Sequence, residues 1–294
     1  MVILCADDYA LNRGVARAIG ELSAARRLSA TSVLVTTPHW PALAPRLSIH
    51  RGHLAIGLHF NLTLGAPLRP MRRLAPSGGL PSLGKLLAGA LAGLPDRSEI
   101  KDEFVRQLDH FEGGLGFPPD QVDGHQHVHV LPGIREVVLE TLAQRYPRLP
   151  PLLRDPSDRW QAIAARRTAK AKALLVAGLA LGFGEAARRR GLPTNAGFSG
   201  FSSFDVRVPY QRELEDALRG LGPRPMVMCH PGHGDADLST ANVGDDDPVA
   251  ARRRMEYDAL MGDRALPGRI WRPSRSPDGP PVDWASVRFL VDAG

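Results

Sequence analysis

Val2-Ile3-Leu4-Cys5-Ala6-Asp7-Asp8, followed by the stretch from Asn12 to Arg27, sets the pattern for the whole chain. Five apolar residues stop at two carboxylates, and the next sixteen residues carry Val15, Ala18, Ile19 and Leu22 at helical spacing. A short buried strand and an amphipathic helix are the expected result, which is one βα unit. The unit recurs. Thr31 to Thr36 is β-branched and predicts a second strand, with a helix from Pro41 to Leu47. Leu54 to Leu58 predicts a third strand, and Gln121-Val122-Asp123 a fourth, with helices at Ile100 to Phe111 and Ile134 to Arg145. Leu152-Leu153-Arg154 reads as a fifth strand, and Met226 to Cys229 as a late one. Trp160 to Arg190 reads as one or two helices. Alternating strands and helices argue for a parallel sheet covered by helices. The expected fold is α/β, an irregular (βα) TIM-like barrel, with an open doubly wound sheet as second choice.

The residues that end the strands carry the chemistry. Asp7 and Asp8 follow the first strand, His59 the third, His125 the fourth and His230 the late one. Parallel strands place their C-terminal ends on one face, where α/β enzymes build their sites. Residues scattered over the chain therefore converge on one mouth. An Asp with two His suits a divalent metal that keeps open positions. Such a metal acidifies water and polarises a carbonyl, a free carboxylate accepts the proton, and a histidine across the pocket supplies one. Asp7, Asp8, His59, His125 and His230 fill those roles. Taken singly each has a plainer reading: Asp7-Asp8 as a helix cap, His59 as a satisfied histidine near a strand end. Coincidence across several strand ends outweighs them. The run His125-Gln126-His127-Val128-His129 holds three of the ten histidines. His127 and His129 suit supporting positions behind the ligand. His233 is expected at a pocket wall or in a plain loop. Period-two alternation would turn Gln126 away from His125 and His127.

Composition narrows the class. The net charge is +6, yet 33 of the 37 basic residues are arginine, spread along the chain without interleaved aromatics, which argues against nucleic acid. Arg188-Arg189-Arg190 and Arg252-Arg253-Arg254 read as solvated helical faces. Two cysteines exclude a disulfide framework and a thiolate zinc site. The longest apolar run, Ala173 to Phe183, is too short to span a bilayer. With Asp7-Asp8 ending the first apolar run, no signal peptide is expected, and the expected location is cytoplasmic.

Five blocks in order resemble the YdjC-like carbohydrate deacetylases, the family of chitooligosaccharide deacetylase and of hopanoid-biosynthesis-associated HpnK-like proteins. They are Ala6-Asp7-Asp8-Tyr9, Leu28-Ser29-Ala30-Thr31-Ser32, Ile56-Gly57-Leu58-His59-Phe60-Asn61-Leu62-Thr63, Val122 to His129, and Met228-Cys229-His230-Pro231-Gly232. The resemblance implies a metal-dependent hydrolase that removes an N-acetyl group from an acetylated sugar, oligosaccharide or glycolipid. It implies Asp8, His59 and His125 as ligands of one divalent ion, magnesium or zinc, Asp7 as base and His230 as acid. It implies His127 as a substrate contact or a support behind the ligands, a role for which His233 is also a candidate on its position after the late strand, and a homodimer fits the family. The sequence departs at Ala10, where the family has glycine, and at Gln126, where the middle histidine of the family's run is missing. If that glycine serves an unusual backbone angle, Ala10 should avoid it and the loop should shift. The whole of 1–294 reads as one deacetylase domain with a helical insertion at about 155–203. Two rivals stand beside this: a metal-dependent phosphoesterase or other barrel hydrolase, which would want a second metal and more carboxylates, helped by Asp123, Asp235 or Asp237, and a non-catalytic sugar- or metal-binding protein.

Overall fold

The computed structural model describes residues 1–233 and 249–287. Asp235, Asp237 and the Asp245-to-Pro248 stretch, expected as a loop before a helix, lie outside the described residues. Seven strands form one sheet in which every pairing is parallel: β1 Ile3–Tyr9, β2 Ala30–Val33, β3 Ala55–Phe60, β4 Gln121–Gly124, β5 Leu152–Leu153, β6 Phe198–Ser199 and β7 Met226–Cys229. Their order is β5-β4-β3-β2-β1-β7-β6. The intervening helices are α1 Arg13–Ala24, α2 Trp40–Ser48, α3 Leu83–Leu91, α4 Arg97–Leu115 and α5 Ile134–Arg145. There follow α6 Trp160–Ala165, α7 Lys170–Leu179, α8 Phe183–Arg189, α9 Tyr210–Ala217, α10 Ala250–Gly262 and α11 Leu266–Arg269. Asn12 starts α1 as an N-cap, its Oδ1 accepting from Val15 N at 2.8 Å.

The sheet curls until its edges approach. The segment 193–199 bridges them: Leu153 N donates to Pro193 O, Ala196 N to Arg224 O, and Phe198 pairs with Met226. An irregular barrel results, closed by chain too short and bent to count as a full strand. Strand alternation sorts the core into two shells. Leu4, Ile56, Leu58, Val122, Leu153 and Val227 face the helices. Ile3, Cys5, Ala30, Ala55, Leu152, Phe198, Met226 and Met228 fill the interior. Small residues at 30 and 55 suit this narrow lumen. Gly57 belongs to the same economy, since a Cβ there would meet Gln121 Cγ at 2.1 Å.

The floor of the barrel is closed by a buried ion pair. Asp120, just before β4, accepts both terminal nitrogens of Arg275, at 2.6 and 2.5 Å, and the backbone N–H groups of Ile56 and Val282. The Trp284 indole donates to the Asp120 carbonyl at 2.6 Å. This lashes the C-terminal segment beneath the strands. Asp120→Ala is expected to lower the unfolding free energy by about 3–5 kcal/mol, because Arg275 loses its buried partner. Urea unfolding followed by tryptophan fluorescence would measure it, and a loss under about 1 kcal/mol would count against this role.

The region expected as one or two helices is three, broken after Ala165 and Leu179. Arg252-Arg253-Arg254 divides: Arg252 and Arg253 are buried in α10 and Arg254 is exposed. Consecutive helical residues point about 100° apart, and α10 turns Arg252 and Arg253 toward the protein, whereas Arg188, Arg189 and Arg190 are all exposed as expected.

Candidate active site

Inward positions near the strand ends form a polar ring above the apolar interior: Asp7, Ser32, His59, Asp123 and Arg154 from β1 to β5 in turn, with His230 after β7. The first strand does something unusual to contribute two adjacent carboxylates. Ala6 pairs with Thr31 but Tyr9 with Val33, so β1 carries one extra residue against β2. Asp8 and Ala10 adopt left-handed φ of 68° and 70°. This bulge lets Asp8 join Asp7 at the mouth instead of pointing away. The expectation for Ala10 is therefore corrected: it takes up the left-handed angle with its side chain buried, a strain of about 1–2 kcal/mol borne by the surrounding core.

Asp8, His59 and His125 come together. Asp8 Oδ1 lies 3.3 Å from His59 Nε2 and 3.1 Å from His125 Nδ1, and the two imidazole nitrogens are 3.3 Å apart. Ligands of a tetrahedral zinc stand about 3.3 Å apart, and those of an octahedral magnesium about 2.9 Å. The triangle thus has the size that one small divalent ion requires. Its outer shell is also in place. His59 Nδ1 donates to Asp123 Oδ1 at 2.5 Å, which aims Nε2 at Asp8 and His125. Arg253 donates to Asp8 Oδ2 at 2.8 Å, leaving Oδ1 for the cluster. Burial disfavours a charged His59, but Asp123 and Asp8 outweigh it and raise its pKa to about 10. An imidazole ligates a metal only when neutral at the ligating nitrogen, so any metal affinity of this cluster should fall as pH falls. Burial likewise opposes ionisation of Asp8, yet Arg253 and the two imidazoles hold its carboxyl well below the usual range.

Asp7 faces a different partner. Arg154 Nη1 and Nη2 donate to its two oxygens at 2.6 Å each, and Ser32 Oγ donates to Oδ1 at 3.0 Å. Despite burial, this fork keeps the Asp7 carboxyl ionised far into acid. Arg154 Nη2 also lies 2.5 Å from Asp123 Oδ2 and 3.2 Å from Cys5 Sγ. Cys5, Asp7 and Asp123 have metal-like proximity, but their cation is this guanidinium. A second metal, which the phosphoesterase rival would want, has no vacant acidic cluster among the described residues.

The remaining histidines separate. His230 has its backbone N–H bound to buried Glu256 at 2.5 Å, its ring against Phe204, and Nδ1 unpartnered among the described residues. Burial lowers its pKa to about 4, and burial raises that of Glu256 to about 7. After β4 the chain turns into a 3₁₀ segment, His125–Val130, with Gln126 and His127 at left-handed φ of 54° and 60°. Gln126 is exposed, as expected, but through this turn and not through strand alternation. His127 packs edge-on to Phe198 and Phe201, and burial holds it neutral. His129 Nε2 donates to the Arg154 carbonyl at 2.8 Å and so braces the end of β5. His233 sits apart from the cluster, bound to Glu21 at 2.8 Å and packed at a tilt against Tyr257 between α1 and α10.

Sequence reasoning missed Arg154, Arg253, Ser32 and Glu256, and gave Asp123 no orienting role. Arg154 ends a strand as the others do, but the strand is only two residues long and an arginine there reads as surface. Arg253 and Glu256 carried none, because they approach from a helix more than 240 residues after Asp8.

The sequence model of the YdjC-like protein family matches residues 1–266. A carbohydrate deacetylase of Geobacillus stearothermophilus is 35% identical over 266 residues, covering 90% of this chain and 90% of its own. One from Mus musculus is 32% identical over 253 residues, covering 79% and 78%. A solved structure from Enterococcus faecalis V583, named for cellobiose-phosphate cleavage, superposes with a TM-score of 0.62 at 21% identity over 90% of this chain and 91% of that one. At that identity the likeness speaks for the fold.

Proposed function

This chain belongs to the YdjC-like family, and from that premise we propose that it is a metal-dependent hydrolase removing the N-acetyl group from an acetylated sugar, oligosaccharide or glycolipid. The observation that carries the reading is the Asp8–His59–His125 triangle set beside an ionised carboxylate, Asp7, that is not part of it. The names of its relatives support the carbohydrate substrate. On this reading residues 1–294 are one deacetylase domain, with about 155–203 a helical insertion.

Asp8, His59 and His125 would hold one divalent ion, magnesium or zinc, which when bound acidifies water and polarises the acetyl carbonyl. Asp7 accepts the water's proton. A carboxylate as acidic as Asp7 is a weak base, so this role suits only water made unusually acidic, and the two assignments stand or fall together. Arg154 fixes the Asp7 carboxylate in the plane of its fork and holds Asp123 against His59. His230, neutral at rest, gains basicity as negative charge builds on the carbonyl oxygen. It then takes the proton that Asp7 accepted from water and hands it to the departing amine, which returns Asp7 to its ionised and His230 to its neutral form. His127, with Phe198 and Phe201, walls the side of the mouth nearest β6, and His233 is kept as a more remote substrate contact. A purely binding protein needs no general base, so an ionised Asp7 outside the ligand triangle argues against that rival.

The test is acetate release from a panel of N-acetylated saccharides and glycolipids with added divalent metals. The account expects release that a chelator stops and added metal restores. His59→Ala and His125→Ala should lose bound metal on dialysis, and retention of a full equivalent in either would remove that residue from the ligand set.

A further inference from the structure

Helix α7 is apolar on both sides. Ala173 and Val176 are buried toward the barrel, as the hydrophobic spacing requires. The opposite stripe, Ala171, Leu174, Leu175 and Gly178, is exposed and equally apolar, and Leu181 continues it one turn on. Leu174 is 54% exposed, Leu175 60% and Leu181 79%. A helix apolar on two opposite faces needs cover on the second as well as the first. Trp160, on neighbouring α6, is a further large apolar side chain left 69% exposed.

The charge around this stripe selects the cover. From Arg159 to Gly184 there is no acidic residue, while Arg159, Arg167, Lys170 and Lys172 are basic and exposed; Arg166 is buried against Asp158. A second copy meeting this face about a two-fold axis would set those cations against themselves. An anionic lipid surface neutralises them and takes the leucines into its outer layer. Ten residues of helix are too few to cross a bilayer, and no described helix is long and apolar enough to do so. The stripe fits a helix lying in the surface plane.

We propose that the α7 stripe docks this protein on an anionic phospholipid bilayer, with the mouth of the site beside the contact. The N-terminal end of α7 adjoins that mouth: Lys172 Nζ lies 4.9 Å from the Phe204 ring, which packs against His230. Docking would hold the mouth within reach of acetylated sugars carried at the surface, a consequence that rests on the deacetylase reading.

Flotation of the full chain with vesicles tests it. Vesicles of equimolar phosphatidylcholine and phosphatidylglycerol should carry the protein up, and phosphatidylcholine alone should carry much less. Leu174→Glu/Leu175→Glu, and Leu181→Glu as a milder second variant, should weaken partition by about tenfold or more for the double change. Thermal melting and acetate release from a soluble N-acetylated saccharide should stay as in the wild type. Failure of the wild type to float with the anionic vesicles, or equal flotation of the variants, overturns the proposal. So does a wild-type dimer in sedimentation that Leu174→Glu/Leu175→Glu converts to monomer, which would assign the stripe to a second copy. Acetate release without vesicles reports on the deacetylase reading independently, so failure of either is seen separately.

Discussion

Asp7→Asn should reduce acetate release by about 10²–10⁴-fold while the protein stays folded and keeps its metal. The amide preserves size and one acceptor oxygen, so Arg154 retains a hydrogen bond there and its ion pair with Asp123. What disappears is the negative charge that takes the water's proton. Asp8, His59 and His125 are untouched, so dialysed protein should hold metal like the wild type. Rate and metal content measured on the same preparation separate the two roles. A variant that keeps turnover dismisses Asp7 as base, and one that loses metal as well as rate makes Asp7 a ligand.

Arg154→Met should be the most destabilising change in the site. The side chain is buried, and its guanidinium lies between Asp7 and Asp123 with Cys5 beneath. Methionine fills much of the volume but leaves two buried carboxylates facing each other without a cation. Removing one member of such a buried set costs about 3–5 kcal/mol. The pH dependence has a definite sign. Asp7's folded pKa lies below its unfolded value, so its pairing contributes stability above about pH 4 and loses it as pH falls through the folded value. The gap between wild type and Arg154→Met should therefore be widest near neutrality and narrow in acid, where protonation relieves the orphaned carboxylates. The acidic limb of the variant's remaining activity should also move to higher pH, because Asp7 takes its proton more readily without Arg154. Urea midpoints across pH and a pH–rate profile measure both effects, and a pH-independent stability loss would reduce Arg154 to packing.

The sequence made the strands with clear apolar runs readable, and with them the side chains at their ends. Val2 to Ala6, Leu54 to Leu58 and Met226 to Cys229 point directly to Asp7, Asp8, His59 and His230, because a parallel sheet puts every strand end on one face. Ile134 to Arg145 was legible to the residue, since Pro132-Gly133 marks its start. Other features depend on contacts that no local pattern encodes. β6 is two residues long and held by β7 alone, so its sequence carries no strand signal. Arg154 follows a two-residue strand, and a single arginine after Leu-Leu reads as surface until Asp7, 147 positions away, is seen to meet it. The left-handed turns at Asp8, Ala10, Gln126 and His127 run against intrinsic preference. They occur where the chain must redirect polar side chains into the mouth, which is where local rules are expected to fail.

The account stands on Asp8, His59 and His125 holding one catalytic ion, and a metal titration of acetate release tests that most directly. Metal-stripped protein should release no acetate from N-acetylated saccharides, regain activity in proportion to added divalent ion, and saturate at one equivalent per chain. His125→Ala should show neither the binding step nor the recovery. Full activity in excess chelator, or saturation at one equivalent with His125→Ala as with the wild type, would contradict it.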